Sequence, residues 1–469
     1  MFDLKDQRTT PKGEVTLSGL EGRFAGCGDL IRRTLRCGKG GAAVEALWLD
    51  GLTEARSISE DVIRPLYALG CRSETALLAA AMDGGVYSGS VRLRRREDET
   101  AADLCAGCAA LLLPKLGLAL CFEVRSQAGR GVEAPMVEKS VLGARDSFTE
   151  TLRTNTALVR RRLPVPALKL WEQSAGGPGG VRVDLLYVEG VAPPDRVAAL
   201  QARLRALNGP SLTSPGALER QLAAPPRSLV PQTLHTERPD RFARGLLQGK
   251  VGVLCDGLPV GFLLPGSLPE MLCTQEDRAR HAPVAAALTA LRALALLIAL
   301  LLPAAYVAAA MYHQEMIPVK LLTSVIRAKE EVPFSTAAEV LGMLLSFELL
   351  QEAGIRLPDP VGQTVSVIGA LIVGQSAVEA KVLSPIVIIV VAMAGIGTYT
   401  QPSQELGAAV RLWRFALVLC AAALGLFGVM AGLMALLWRL CDTENLGVCC
   451  LWPLCGDRPG RSPEKGASG

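Results

Sequence analysis

Aromatic residues and histidines are scarce in this sequence of 469 residues. Phe, Trp and Tyr together make up 4% of the chain, and the histidines are His235, His281 and His313. With so few aromatic rings, the chain lacks the stacking surfaces of proteins that bind single-stranded nucleic acids. Its net charge of +4 is also too small for an extended basic nucleic-acid-binding surface. Three widely separated histidines also argue against a zinc or haem enzyme.

Sequence patterns of common catalytic sites are also missing. The chain contains no GxSxG, HExxH, GxGxxG or GxxxxGK[ST] pattern. The thirteen cysteines are an odd number, in a region expected to face a reducing cytosol, so a disulfide framework is not predicted. We therefore expect no enzyme, no cofactor and no metal.

Charge is unevenly distributed along the chain. Charged residues are frequent up to Ala286 and sparse from Ala287 to Leu440. Three uncharged runs are long enough to cross a hydrocarbon core of about 30 Å, and a fourth is at the lower limit; they are Ala293–Gln314, Val382–Gln404, Phe415–Trp438 and, at the limit, Val361–Val378. Several such runs predict a polytopic α-helical membrane domain over 287–440. The polar start of the sequence lacks a signal peptide, so we expect the N-terminal region to be cytosolic.

A further segment has an ambiguous relation to the membrane. Thr336-Ala-Ala-Glu339 fits a capping box, and the helical pattern that follows carries an acidic face at Glu348 and Glu352. Its short uncharged stretch favours a re-entrant or interfacial helix. The positive-inside rule favours a crossing, because Arg411 and Arg414 would then be cytoplasmic. Four and five spans, and the side of the C-terminus, therefore remain open.

One predicted span carries polar side chains along a stripe. At 100° per residue, a sector about 80° wide holds a set of five residues: Thr364, Ile368, Ile372, Gln375 and Glu379. They are the pore-lining candidates, because a ring of such carboxylates in an oligomer would favour cations. An equally supported interpretation is a helix packed on its neighbours, with Gln375 bridging and Glu379 reaching the interface.

The N-terminal half reads as a duplication of one α/β unit. Val44–Leu52 resembles Val183–Val191, and Leu116–Cys121 resembles Val251–Cys255 at a similar offset. Chance similarity of short apolar strands is the alternative. We predict two similar cytosolic α/β subdomains, the membrane domain and a Cys-rich, disordered tail; their bounds are 1–142, 143–280, 287–440 and 441–469.

An arginine-rich helix is predicted at the start of the second subdomain. Ser147–Leu163 contains Arg153, Arg160, Arg161 and Arg162. A solvated basic face is the favoured interpretation, and a surface that meets a partner's acids or anionic headgroups is the alternative.

Several segments together resemble the spore germination receptor A-subunit (GerA) family. They are SFTETLRTNTALVRRRL (147–163), LLYVEGV (185–191), VPQTLHTERPDRFARGLLQGKVGVLCDGLP (230–259), LLPAAYVAAAMYHQEMIP (301–318) and ELLQEAGIRLPDPVGQTVSVIGALIVGQSAVEAKVLSP (348–385). The Cys-rich LGVCCLWPLC near the C-terminus departs from the family's more usual ending. In these motifs, the candidates for partner contact or gating are His313, Glu315, Glu348, Glu352, Arg160, Arg161 and Arg162.

The resemblance implies a protein of the bacterial spore inner membrane with a cytosolic N-terminal region. It implies a permease-like B subunit and a lipoprotein C subunit as partners, and a homo-oligomer that passes monovalent cations when nutrient binds. The stage V sporulation paralogue, with the same architecture, is not separated from it. A non-conducting scaffold that docks the permease-like partner is the second hypothesis, and a solute transporter the third.

Overall fold

The chain forms an N-terminal α/β unit and a C-terminal helical unit. The computed structural model describes residues 14–38, 41–126, 135, 138, 143–175, 180–207, 214–223, 231–356 and 374–452. The first compact unit is made of the described residues of Met1–Pro226 and Thr233–Pro265, and the second is made mainly of those of Gly266–Arg461. The predicted domain boundaries are not tested by this division and remain predictions.

The first sheet is antiparallel, with helices along its edges and faces. Its strands are β1 (Leu30–Arg36), β2 (Ala43–Leu49), β3 (Val91–Arg94), β4 (Cys108–Leu113) and β5 (Leu118–Glu123), in the spatial order β1-β2-β4-β5-β3. Its helices are α1 (Leu17–Arg23), α2 (Ala55–Ser57), α3 (Arg64–Leu69), α4 (Glu74–Ala80) and α5 (Glu97–Cys105), with π-helical turns at Ile58–Ile63 and Ala81–Gly85.

Apolar residues on both faces of the central strands hold this sheet in a double-sided core. In β4, Leu111 belongs to one buried cluster, and its neighbours Ala110 and Leu112 belong to the other. Successive side chains of a strand point to opposite faces, so a strand that is apolar at every position must be covered on both sides. The uninterrupted apolar run of β4 therefore fixes it in the middle of the sheet.

The second sheet repeats the order of the first. Its strands are β6 (Leu168–Ala175), β7 (Val181–Val188), β8 (Leu234–Thr236), β9 (Val251–Cys255) and β10 (Gly261–Leu264), in the spatial order β6-β7-β9-β10-β8. The helices are α6 (Leu152–Arg162), α7 (Pro194–Arg205), α8 (Pro215–Leu222) and α9 (Pro239–Leu247). The expectation of two similar α/β subdomains followed by a helical region is confirmed.

One half of the predicted repeat alignment is wrong. Val44–Leu52 and Val183–Val191 fall on β2 and β7, which hold equivalent places in the two sheets. Leu116–Cys121, however, falls mainly on β5, whereas Val251–Cys255 is β9 and corresponds to β4. Both β4 and β5 are short apolar strands, so the residue types alone did not distinguish them.

The second unit is almost entirely helical. Its helices are α10 (Leu268–Leu272), α11 (Gln275–Ala279), α12 (Ala282–Met311), α13 (Val319–Lys329), α14 (Thr336–Arg356), α15 (Pro385–Tyr399) and α16 (Gln404–Asp442). Among the described residues, α12 and α16 are long and apolar enough to cross a membrane, each with a mean hydropathy of 2.4, and α15 is a shorter apolar helix.

The helix α14 runs alongside α15 in the same direction. Near its start, Glu339 accepts a hydrogen bond of 2.8 Å from the amide of Ser384, just before α15 begins. In the middle of α14, the Phe347 ring packs 6.3 Å from the Tyr399 ring, at the end of α15. These contacts show that α14 packs against α15, and the interpretation of α14 as a re-entrant or interfacial helix stays a prediction.

The N-terminus of α14 is capped one residue earlier than the sequence predicts. Ser335 Oγ accepts a hydrogen bond of 3.3 Å from the amide of Ala338, and the Glu339 carboxylate turns to Ser384. A capping box built on Thr336 would instead direct Glu339 back to the Thr336 amide.

The last helix, α16, is sharply broken at Gly425. At Gly425, φ is 61° and ψ is −139°, a backbone conformation that glycine adopts readily and other residues avoid. A Cβ added to Gly432 would lie 2.6 Å from the Leu417 side chain, fifteen positions earlier in the same helix. Residues fifteen apart in a straight helix are about 22 Å apart, so the chain folds back on itself at Gly425. The run Phe415–Trp438, predicted as one span, contains this turn.

The described part of the tail is ordered. Residues Glu444–Asn445 (β11) and Val448–Cys449 (β12) pair as an antiparallel hairpin. The amide of Leu268 donates a hydrogen bond of 2.8 Å to the carbonyl oxygen of Cys450. The stretch from Cys441 to Trp452 is therefore structured, whereas Cys455 and the Gly/Ser/Pro-rich end, Gly456–Gly469, for which disorder is predicted, lie outside the described residues.

Candidate functional site

A charged cluster joins α14 to α16 inside the helical unit. Arg414 Nη2 lies 2.7 Å from Glu348 Oε1, and Arg411 Nη1 lies 3.2 Å from Glu348 Oε2. Arg414 is 1% exposed, and its Nη1 also lies 3.4 Å from the hydroxyl of Thr398. A buried guanidinium is tolerated only with such partners, because losing its hydration costs several kcal/mol.

The local sequence places these charges on facing helix surfaces. Arg411 and Arg414 are three positions apart, which puts them on one side of α16. Glu348 lies in the second half of α14, on the side that faces them. The carboxylate thus uses both oxygens, one for each arginine, and the cluster carries one positive charge in excess.

A second acidic residue lies at the opposite end of α14. Glu339 is 2% exposed and accepts the hydrogen bond from the Ser384 amide. Lys329 Nζ lies 3.8 Å from its other oxygen. A carboxylate at this position also interacts favourably with the N-terminal end of the α15 dipole.

The predicted polar stripe is only partly within the described residues. Thr364, Ile368 and Ile372 lie outside them. Gln375 and Glu379 lie in a helical stretch, 374–379, and both side chains are exposed. They are one helical turn apart and therefore share a side of that stretch. Their assignment to a pore stays a prediction.

The remaining candidates of the helical unit lie in different places. His313 follows α12, with its Nδ1 3.7 Å from Glu315 Oε1. Glu352 is exposed, one turn beyond Glu348 on α14. The structure therefore brings Glu348 together with Arg411 and Arg414 and places His313 and Glu315 beside each other in the loop after α12.

In the α/β unit, Arg160 joins the two subdomains from inside. Its Nε and Nη2 donate hydrogen bonds of 2.5 and 2.7 Å to the two carboxylate oxygens of Asp29, and its Nη1 donates to the Leu168 carbonyl at 3.3 Å. Arg160 and Asp29 are each 1% exposed. Burial by itself lowers the pKa of Arg160, but the Asp29 carboxylate outweighs it and holds that pKa above its ordinary value.

The other arginines of α6 also bind within the chain. Arg153 lies 3.0 Å from Asp50 of the first subdomain and 2.6 Å from Glu172 of the second. Arg161 donates a hydrogen bond of 2.6 Å to the Ser126 carbonyl, and Arg162 contacts Asp146 at 2.5 Å. This helix is thus a connector between the subdomains, which differs from the solvated basic face that the sequence favoured. Contact of Arg161 or Arg162 with a partner remains a prediction.

A buried acid lies next to this junction. Asp184 of β7 is 2% exposed and pairs across the sheet with Glu172 of β6. Its Oδ2 has no hydrogen-bond partner among the described residues. Burial, reinforced by the Glu172 carboxylate, raises the pKa of Asp184 to about 7, against the opposing effect of Arg153.

Cys105 and Cys108 are unreactive side chains of the packed core. Both residues are buried, at the end of α5 and the start of β4. Burial raises the pKa of Cys105 to about 12, and it also raises the pKa of Cys108. A thiol that stays protonated is a poor nucleophile and a poor metal ligand, so these two cysteines act as small residues of the core.

The comparison with protein families covers both units. A family model described as the Bacillus/Clostridium GerA spore germination protein matches residues 18–461. The chain belongs to the GerA family. The resemblance carried by the sequence motifs is thereby confirmed.

Curated relatives match most of the chain. The uncharacterized membrane protein YfkQ of Bacillus subtilis is 32% identical over 95% of this chain and 86% of its own length. Spore germination protein KA of B. subtilis is 30% identical over 91% and 78%. Spore germination protein GerLA of Bacillus cereus is 32% identical over 86% and 82%.

A solved structure is also similar to this GerA-family chain. It is the N-terminal domain of the A subunit of the Bacillus megaterium spore germinant receptor GerK3, with a TM-score of 0.43 and 21% identity. The match covers 55% of this chain and 97% of that one.

The sequence does not predict the ion pairs of three residues in this GerA-family chain. Arg411 and Arg414 bear on the sequence analysis only through the positive-inside rule, and Asp29 does not enter it. A signal for the arginine contacts is present in the sequence: Arg411 and Arg414 lie between long apolar runs, and charges in such a place need a nearby acid. No local signal marks Asp29, because its partner Arg160 is 131 positions away.

Proposed function

We propose that this chain is the A subunit of a nutrient-germinant receptor and triggers spore germination. The observation that carries the proposal is the match to the GerA family from residue 18 to residue 461, through both units. Relatives that share about a third of their residues with most of this chain are named spore germination proteins.

The helical unit is proposed to lie in the spore inner membrane, with the α/β unit in the cytosol. Support comes from α12, which is long and apolar enough to cross a bilayer, and from the apolar composition of α16, which turns back at Gly425. The charged residues are concentrated before Ala287, in the part that folds into sheets and surface helices. A permease-like B subunit and a lipoprotein C subunit are the proposed partners, as the family resemblance implies.

We further propose that several copies of the helical unit assemble into a cation-conducting channel. The stripe of Thr364, Ile368, Ile372, Gln375 and Glu379 would line it. The supporting observation is that Gln375 and Glu379 are both exposed in the single chain and share one side of a helical stretch. A ring of carboxylates and amides attracts monovalent cations and repels anions.

The test uses spores of the organism that carries this chain. Spores without the gene are complemented with the wild type, Glu379→Gln or Gln375→Ala, and release of monovalent cations is followed after nutrient addition. Glu379→Gln is expected to slow cation release, because it removes the charge from the ring. Gln375→Ala is expected to change the time at which cation release begins after nutrient addition. Glu330→Gln, at another exposed acid of the helical unit, is the matched control.

The outcomes separate a channel from a scaffold. Deletion that leaves germination intact with every nutrient would overturn the receptor role. Normal ion release with both stripe variants, at normal protein levels, would remove the stripe from the pore. Purified protein that stays electrically silent in bilayers, alone and with its partner, would identify a non-conducting subunit that docks the permease-like protein.

A further inference from the structure

The helix α13 has apolar side chains that the protein does not cover. Val319 is 75% exposed, Leu321 53% and Ile326 52%, whereas Val325 is 7% exposed and faces α15. On a helical projection the apolar residues occupy roughly half of the circumference, and Val325 lies near the middle of that half. The protein therefore covers the centre of the apolar face and leaves both flanks open.

The remaining surface of α13 is hydrophilic and basic. Lys320 and Arg327 are seven positions apart and lie on the same side of the helix, with Thr323 and Ser324 beside them. A polar basic face opposite a broad apolar face is the pattern of helices that lie in a membrane interface. Anionic headgroups attract such basic residues electrostatically.

The position of α13 in the helical unit agrees with this chemistry. It begins eight residues after α12 ends at Met311, and it precedes α14. Because α12 and α15 run in opposite directions, with Gln401 at the end of α15 donating a 3.1 Å hydrogen bond to the Arg292 carbonyl, the end of α12 and the start of α15 lie at the same end of the bundle.

Ion pairs fix the C-terminal end of α13 at this end of the bundle. Lys329 lies 3.8 Å from Glu339 near the start of α14, and Glu331 contacts Lys381 at 2.8 Å, shortly before α15. The C-terminal end of α13 thus lies at the level where α14 and α15 begin.

We infer that α13 is a membrane-interface helix that docks on a bilayer surface with anionic headgroups. Its apolar flanks enter the acyl-chain boundary, and Lys320 and Arg327 meet the headgroups. The inference rests on the proposed membrane location of the helical unit. It adds an attachment that is separate from the crossings, because α13, at eleven residues, is too short to span a bilayer.

The experiment measures which molecule touches α13. The full chain is reconstituted in vesicles of phosphatidylethanolamine and phosphatidylglycerol that contain an alkyne-tagged phosphatidylglycerol. The photoreactive residue p-benzoyl-phenylalanine replaces Ile326 in one variant and Ser324 in a matched control, since Ser324 is equally exposed and lies on the opposite side of the helix. Leu419 and Phe427, 57% and 74% exposed on α16, provide the bilayer reference positions.

The expected result is a lipid adduct at Ile326 and at the reference positions, several-fold stronger than at Ser324. Two results would overturn the inference while the reference positions still react with lipid: a cross-link from Ile326 to a second copy of the chain, or equal labelling of Ile326 and Ser324. Absence of lipid adducts at Leu419 and Phe427 would instead overturn the membrane location itself, and the interface helix with it.

Discussion

Glu348 and Arg414 are 66 positions apart in the sequence and meet at 2.7 Å between α14 and α16. The arginine is 1% exposed, and the same carboxylate also holds Arg411. This contact links the helix that sequence analysis found ambiguous to the last long helix of the chain. It gives Glu348 a structural role, because its carboxylate neutralises the buried Arg414.

We expect Glu348→Gln to destabilise the helical unit strongly. The change leaves the buried Arg414 without a counter-charge, and removing one partner of a buried pair costs about 3–5 kcal/mol. Thermal unfolding of the full chain in detergent measures the loss. Glu330→Gln, at an exposed acid, is the control and should change little. The reversed pair Glu348→Arg with Arg414→Glu should recover part of the loss, and no recovery would argue against direct pairing.

We expect Asp29→Asn to loosen the junction of the two α/β subdomains. Arg160 would keep its charge without a carboxylate, at a cost of about 3–5 kcal/mol. The buried thiols of Cys105 and Cys121 should then react with a maleimide dye at a lower temperature. Asp146→Asn removes the partially exposed partner of Arg162 and should cost at most about 1 kcal/mol. Equal effects of the two variants would contradict the connector role.

The stability of the α/β unit should fall between about pH 4 and pH 7 through Asp184. The folded chain raises the pKa of Asp184 from 3.8 to about 7. The unfolded chain releases that proton first, so the cost of folding grows as the pH rises and is complete above pH 7, at on the order of 4 kcal/mol.

The variant Asp184→Asn isolates this effect. It should raise the unfolding temperature at pH 8, where the wild type buries a charge, and change it little at pH 4. Tryptophan fluorescence of the full chain follows the transition, and Asp83→Asn, at an exposed position, is the control. An equal effect of Asp184→Asn at both pH values would assign the change to packing and not to ionisation.

Two glycine-to-alanine changes in the helical unit should affect its stability differently. A Cβ at Gly428 would overlap the Cys420 carbonyl oxygen across the turn at Gly425, whereas a Cβ at Gly342 of α14 would meet no atom within 4 Å among the described residues. We expect Gly428→Ala to destabilise by about 1–3 kcal/mol and Gly342→Ala to be neutral or stabilising by up to about 1 kcal/mol. A neutral Gly428→Ala in thermal unfolding would show that α16 is straight.

Local sequence patterns predicted the type of most elements and the family. The apolar runs that became α12, α15 and α16 were visible because charge is absent from them over many residues. Strands such as β2 and β9 were visible as short apolar segments. The pairing of strands was less predictable, and one of the two proposed repeat pairs was wrong, since two apolar strands of similar length look alike without their neighbours.

Taken alone, the amino-acid order determined where lipid-compatible and water-compatible segments lie, because hydropathy and charge are properties of each residue and its immediate neighbours. Only the folded chain decided that Arg160 faces Asp29, that Arg414 faces Glu348, and that α16 reverses at Gly425. Each of these depends on groups far apart along the chain, which meet because a buried charge requires a partner and a close helix approach requires a missing side chain.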